Sequence, residues 1–201
     1  MNSIKNFVFD FGGVLVDLNR ERCVESFREL GFAQAGDLVN NFCQEGVFRD
    51  LELGNISSEV FCQSVRHEAG KPVSDEQIIA AWNDMLGDIA SVKLQKLLEL
   101  RKEYNVYLLS NTNVIHWESS VVLFEEGGHR LEDYFNNVFL SFEMHQRKPN
   151  KEFFLSLATR VGILPHETLL IDDSEVNCEA ACSLGWHALY VGADVDWISS
   201  L

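Results

Sequence analysis

Five short apolar runs, set apart by stretches of helical spacing, restrict this chain to very few folds. The runs are Phe7-Val8-Phe9, Val106-Tyr107-Leu108-Leu109, Val138-Phe139-Leu140, Thr168-Leu169-Leu170-Ile171 and Ala188-Leu189-Tyr190-Val191. Each is continuous rather than alternating and rich in β-branched or aromatic residues, the pattern of strands buried on both faces of a parallel sheet. Leu94, Leu97 and Leu98 recur at helical spacing. So do Phe153, Phe154, Leu157, Ala158 and Val161, with Gly162 as the stop, and Val176, Ala180 and Leu184, with Gly185 as the stop. Strand alternating with helix implies right-handed βαβ units and a doubly wound, Rossmann-like α/β layer.

Residues 19–88 break the alternation and read as helix only, over Glu21–Leu30, Gly36–Leu51, Ser58–Ala69 and Asp75–Leu86. Ser74 followed by Gln77 is a capping-box start for the last of these. The expected architecture is an α/β core of residues 1–17 and 89–201, interrupted after its first strand by an all-helical cap of residues 18–88. That is about 130 residues of core and about 70 of cap, ordinary unit sizes.

Sixteen Lys and Arg stand against 31 Asp and Glu, a formal charge of −15. Without a basic cluster the chain has no means of neutralising nucleic-acid phosphates or an anionic membrane surface. No apolar run approaches a membrane span and no signal segment opens the chain, so the expectation is a cytoplasmic protein. Its five cysteines (Cys23, Cys43, Cys62, Cys178 and Cys182) lack CxxC spacing and read as reduced thiols, with Cys178 and Cys182 as small packing residues on one helix face. Oligomeric state is left between monomer and weak homodimer.

In open parallel sheets, ligands bind beyond the carboxyl ends of the strands. Four segments meet there: Asp10-Phe11-Gly12-Gly13, Ser110-Asn111-Thr112-Asn113, Arg147-Lys148-Pro149 and Asp172-Asp173-Ser174. Asp10, held rigidly at a strand end, suits a covalent nucleophile that forms an acyl phosphate. Crowded carboxylates call for a cation, and Mg²⁺ takes hard oxygen ligands. Asp10, Asp173, Asp172 and the backbone at Gly12 are the candidate ligands. Ser110, Asn111 and Lys148 would bind phosphoryl oxygens, with Phe11 and Gly12 in the same phosphate site, and Lys148 would offset charge at the nucleophile.

Asp10-Phe11-Gly12-Gly13-Val14-Leu15, Leu108-Leu109-Ser110-Asn111-Thr112, Arg147-Lys148-Pro149 and Leu170-Ile171-Asp172-Asp173-Ser174 resemble, in order, the four motifs of the haloacid dehalogenase (HAD) superfamily. The resemblance covers essentially the whole chain, cap included. It is most similar to the branch holding sugar-phosphate phosphatases of the α-glucose-1-phosphate type and the N-terminal phosphatase domain of epoxide hydrolases. It implies an Asp10 nucleophile, Mg²⁺ held with Asp173, an assisting Asp172, and hydrolysis of a small phosphorylated metabolite such as a sugar phosphate.

One position departs from the family pattern. Most phosphatases of the superfamily carry a general acid/base Asp where this chain has Gly12. General acid catalysis is worth about 10²–10⁴-fold, so a replacement or a slower enzyme is expected, with Asp17 the nearest acidic candidate and His116 and His145 behind it. Arg20 or Arg22, at the start of the cap, is expected to reach a substrate anion, with Arg49 and Trp82 as further candidates. The gap at Gly12 keeps two other readings open: a 2-haloacid dehalogenase, and a weakly catalytic relative that binds a ligand or partner.

Overall fold

The computed structural model describes residues 4–39, 44–192 and 195–201 of the chain. Five parallel strands form its sheet: β1 (Asn6–Phe9), β4 (Asn105–Ser110), β5 (Asn137–Leu140), β6 (Thr168–Asp172) and β7 (His187–Tyr190), in the order β5-β4-β1-β6-β7. β1 lies at the centre, where both neighbours bury it and its four residues face no water. Alternate side chains go to opposite faces. Phe7 and Phe9 join Val106, Leu108 and Ile171 against α6 (Ser91–Leu100). Val8 joins Tyr107, Leu109 and Leu170 against α10 (Lys151–Val161) and α11 (Glu175–Ser183). The sheet is thus covered on both sides, as its continuous apolar runs require.

Between β1 and α6 the described residues form five helices: α1 (Arg20–Glu29), α2 (Ala35–Leu38), α3 (Gly46–Glu52), α4 (Ser58–Ala69) and α5 (Asp75–Asn83). They bury an aromatic cluster of their own, in which the Phe48 ring lies 5.3 Å from Phe27, 5.3 Å from Phe61 and 4.8 Å from Trp82. The Ser74–Gln77 capping box is present in both directions. The chain enters these helices through β2 (Val16–Leu18) and leaves through β3 (Leu86–Ile89), which pair antiparallel.

Four expectations need correction. The single helix over Gly36–Leu51 is two in the described residues, because Val39 is extended and Gly46 takes φ +56°; Cys43 lies outside those residues. The Asp75–Leu86 helix stops at Asn83, because Leu86 is drawn into β3 and Gly87 packs on the backbone of Asp17. On α11 the inward face is Asn177, Cys178 and Ala181, while Val176 is exposed; the helix is turned by the polar role of Asn177 described below. Cys178 is buried as expected, but Cys182 on the same helix is exposed. Among the described residues no helix is long and apolar enough to cross a membrane.

Candidate active site

The parallel register places Phe9 opposite Ile171, so the next residues, Asp10 and Asp172, come level at the carboxyl edge of the sheet. The Asp10 backbone N–H donates to the Ile171 carbonyl at 2.9 Å, and its Oδ1 accepts from the Phe11 N–H at 2.7 Å. Both bonds hold the carboxylate in place. Lys148 reaches between the two strands. Its side chain is fully buried, with Nζ 2.9 Å from Asp10 Oδ1 and 2.6 Å from Asp172 Oδ2.

Asn111 positions that lysine. Its side-chain amide donates to the Lys148 carbonyl at 2.9 Å and accepts from the Lys148 N–H at 2.8 Å. The amide thus holds the Lys148 backbone at both of its ends, and Asn111 also lines the cleft beside Asp10. Asp172 is engaged as well. Besides Lys148, its Oδ1 accepts from the Ser174 N–H and from Asn177 Nδ2, each at 2.9 Å. Asp173 has a different setting. It is half-buried and packs against Gly13, whose φ of +74° and missing side chain leave room for the carboxylate.

Carboxylate oxygens of Asp10, Asp172 and Asp173 all lie within 4.8 Å of one another. Such crowding is costly without a cation, and an all-oxygen set suits a hard divalent ion. Burial, with Asp172 and Asp173 adding to it, pushes Asp10 up to about 8 against the downward pull of Lys148. Burial and Asp172 push Asp173 up to about 6. Burial acts to lower Lys148, but Asp10 and Asp172 outweigh it and hold the ammonium charged, above the ordinary lysine range. Asp172 accepts from Lys148, Ser174 and Asn177, and together with Asp10 and Asp173 it makes up the carboxylate cluster that could hold a cation.

Ser110 ends β4, next to β1. Its Oγ is buried and has no hydrogen-bond partner among the described residues. A buried hydroxyl left unpaired calls for a missing ligand, and a phosphoryl oxygen would supply one.

A cleft partly open to solvent lies over Asp10 and Asp173. Phe11 and Gly12 line its floor; Trp82, Met85 and Leu86 come from the helical insert. At Gly12 a Cβ would point to Leu18, 3.0 Å from its Cδ1.

Several expected residues lie elsewhere. Asp17 points away, with a 78% exposed side chain that pairs with Lys93 at 3.2 Å, and it does not line the cleft. Arg20 braces the cap: Nε donates to the Val39 carbonyl and Nη2 to the Gly36 carbonyl, each at 2.6 Å. Arg22 pairs with Asp84 at 2.6 Å, and Arg49 pairs loosely with Asp50 at 3.8 Å. His145 has left-handed backbone, with its Nδ1 2.8 Å from the Leu53 carbonyl. His116 does line the cleft. Its ring stacks on Trp82, Nε2 lies 3.0 Å from the Trp82 carbonyl, and burial pulls it down to about 4.

The cleft also contains residues that sequence reasoning misses, Glu52 above all. Glu52 is buried and pairs with Arg147 at 3.1 Å, while its backbone carbonyl accepts from Ser141 Oγ at 2.7 Å. A signal was available: Phe48, Leu51 and Glu52 stand at i, i+3 and i+4, which places a carboxylate on the apolar face of α3.

A family model described as haloacid dehalogenase-like hydrolase matches residues 4–185. A D-ribitol-5-phosphate phosphatase of Bacteroides thetaiotaomicron is 36% identical over 98% of this chain and 97% of its own. The crystal structure of a HAD family enzyme from the same organism, in complex with magnesium and inorganic phosphate, is 44% identical over 96% of this chain and 97% of that one, with a TM-score of 0.88. A predicted HAD-like hydrolase from Porphyromonas gingivalis is 34% identical over 98% and 96%, with a TM-score of 0.90. With its motifs meeting at one sheet edge and these relatives matching end to end, this chain belongs to the haloacid dehalogenase-like hydrolases.

Proposed function

We propose that the protein is a magnesium-dependent phosphatase of a small sugar or polyol monophosphate, acting through an aspartyl phosphate on Asp10. The observation that carries this reading is the buried Lys148 ammonium, 2.9 Å from Asp10, beside a second free carboxylate at Asp173. The magnesium and phosphate seen in a relative 44% identical support it, as does the ribitol-phosphate activity of another at 36%.

Asp10, Asp173 and the Gly12 carbonyl would hold magnesium, which when bound neutralises charge between the carboxylates and the phosphoryl group. A carboxylate oxygen of Asp10 attacks phosphorus as the ester P–O bond breaks, and the departing alkoxide takes a proton from water. A second water then attacks phosphorus, releasing inorganic phosphate and restoring the Asp10 carboxylate. Lys148 and the Ser110 hydroxyl stabilise the transferring group. The helical insert, residues 18–88, acts as a lid over the core of residues 1–17 and 89–201, so that Trp82 and Met85 exclude bulk water.

The test is phosphate release from a panel of phosphomonoesters, with Mg²⁺ and with EDTA. Release that needs Mg²⁺ and is abolished by Asp10→Asn is expected. Chloride release from 2-haloacids that ignores EDTA would overturn the reading in favour of dehalogenation.

A further inference from the structure

The cleft has an unusual balance of groups. Among the described residues that line the cleft there is no lysine or arginine, whereas Glu52 adds a third carboxylate to Asp10 and Asp173. Glu52 is 5% exposed, and its carboxylate is fixed by Arg147 at 3.1 Å. Burial pushes this group up to about 7 while Arg147 and Lys148 pull it down, so above neutrality it is an anion.

Its neighbours are acceptors too. His116 is neutral and gives its Nε2–H to the Trp82 carbonyl, which leaves Nδ1 as an acceptor. Trp82 also lines the cleft, and its indole Nε1–H is buried without a partner among the described residues. An unpaired buried N–H is unfavourable and is satisfied when a ligand oxygen meets it. Two acceptors and one waiting donor match a chain of hydroxyl groups, each of which both donates and accepts. They do not match a carboxylate or a second phosphate, which only accept and carry charge.

Resting on the phosphatase reading, we infer that the cleft takes an uncharged polyhydroxy chain beside Glu52, His116 and Trp82, and that Glu52 is the specificity-determining residue. Its carboxylate accepts from substrate hydroxyls and repels esters that bear a second anionic group.

The experiment measures kcat and KM at pH 8 with Mg²⁺ for three compounds: ribitol 5-phosphate, ribonate 5-phosphate, in which a carboxylate replaces the far hydroxymethyl group, and p-nitrophenyl phosphate. For the unaltered protein the KM of the ribonate ester is expected to be about tenfold or more above that of the ribitol ester, since like charges placed together are strongly unfavourable. Glu52→Gln should narrow this ratio to about threefold or less, chiefly through KM, because it removes the repulsion. Trp82→Phe keeps the ring and removes the N–H, so the ribitol ester's KM should rise about fivefold, in the range of a lost hydrogen bond. Equal KM values for the two pentose esters, or a ratio that Glu52→Gln leaves unchanged, would overturn the inference. Should Glu52→Gln fail to fold, an unchanged ribitol KM in Trp82→Phe does the same. Hydrolysis of p-nitrophenyl phosphate alongside such a result leaves the phosphatase reading standing, whereas turnover of no ester removes both.

Discussion

The carboxylate of Asp173 occupies the space that a side chain at Gly13 would need. Two constraints meet there, since Gly13 also has φ +74°, where a Cβ costs about 1–2 kcal/mol. Gly13→Ala is therefore expected to displace Asp173 and weaken cation binding beyond its effect on the fold. Thermal melts with and without Mg²⁺ check this. The unaltered protein should gain about 2–3 kcal/mol at a hundredfold excess over Kd, reversed by EDTA, and Gly13→Ala should lose most of that gain. An undiminished Mg²⁺ shift would detach Asp173 from the metal.

Lys148 is the partner of two carboxylates in a site with almost no water. Lys148→Met removes the charge and keeps the volume. It should cost about 3–5 kcal/mol, the scale of an ion pair broken by loss of one buried member, and reduce kcat by orders of magnitude. Urea unfolding and single-turnover phosphate release measure the two effects separately.

Gly12 provides no acid for the leaving alcohol, and Asp17 faces Lys93 instead of the cleft. Rates should therefore depend steeply on the leaving group, with aryl phosphates turned over faster than alkyl phosphates of similar KM. Because the atoms nearest a Cβ at position 12 belong to Leu18, the double variant Gly12→Asp, Leu18→Ala makes room for the missing acid. It should flatten that dependence by up to about 10²-fold for alkyl esters. Asp17→Asn should change kcat by less than about threefold, as befits an exposed ion pair.

His116 gives a pH signature. Burial holds its imidazole at about 4, against an ordinary value of 6.5. Between those values the unfolded chain takes up a proton that the folded one refuses. Stability therefore falls as pH drops from about 6.5 towards 4, by on the order of 3 kcal/mol. Glu52 slopes the other way, losing stability as pH rises from 4.5 through about 7. The His116 part is isolated by subtracting the urea midpoints of His116→Gln from those of the unaltered protein at pH 6.5 and 4.5; a zero difference would mean the ring is not protected from protonation.

The strand-end residues are legible in the sequence because one rule covers them. A continuous apolar run sets the strand, and the first polar residue after it lands at the sheet edge. Asp10, Ser110 and Asp172 follow that rule directly. Lys148 is reached through its proline neighbour and the strand before it. The cap is legible as helix, because Ser74–Gln77 is a capping-box start and Gly54-Asn55 and Gly70-Lys71-Pro72 mark turns between helical segments, yet its part in the cleft is not. Whether Arg20 or Glu52 faces substrate depends on how α1 and α3 roll about their axes, and only the packing of Phe27, Phe48 and Trp82 decides that. The β2–β3 pair is hidden for a simpler reason: Val16-Asp17-Leu18 and Leu86-Gly87-Asp88-Ile89 are too short and too polar to declare a strand alone, and each forms only because the other lies alongside.

That pairing brings Val16 and Ile89 side by side across an antiparallel ladder, where strands lie about 4.8 Å apart. Some seventy residues thus leave and return through what is, for the sheet, a single doorway. Exchange of everything between the two strands for another chain with similarly spaced ends requires no rethreading of β1, β4 or β6. On the proposed reading, the catalytic edge and the substrate-reading insert are separately replaceable cassettes. A new specificity can be grafted onto the same aspartate without touching the chemistry beneath it.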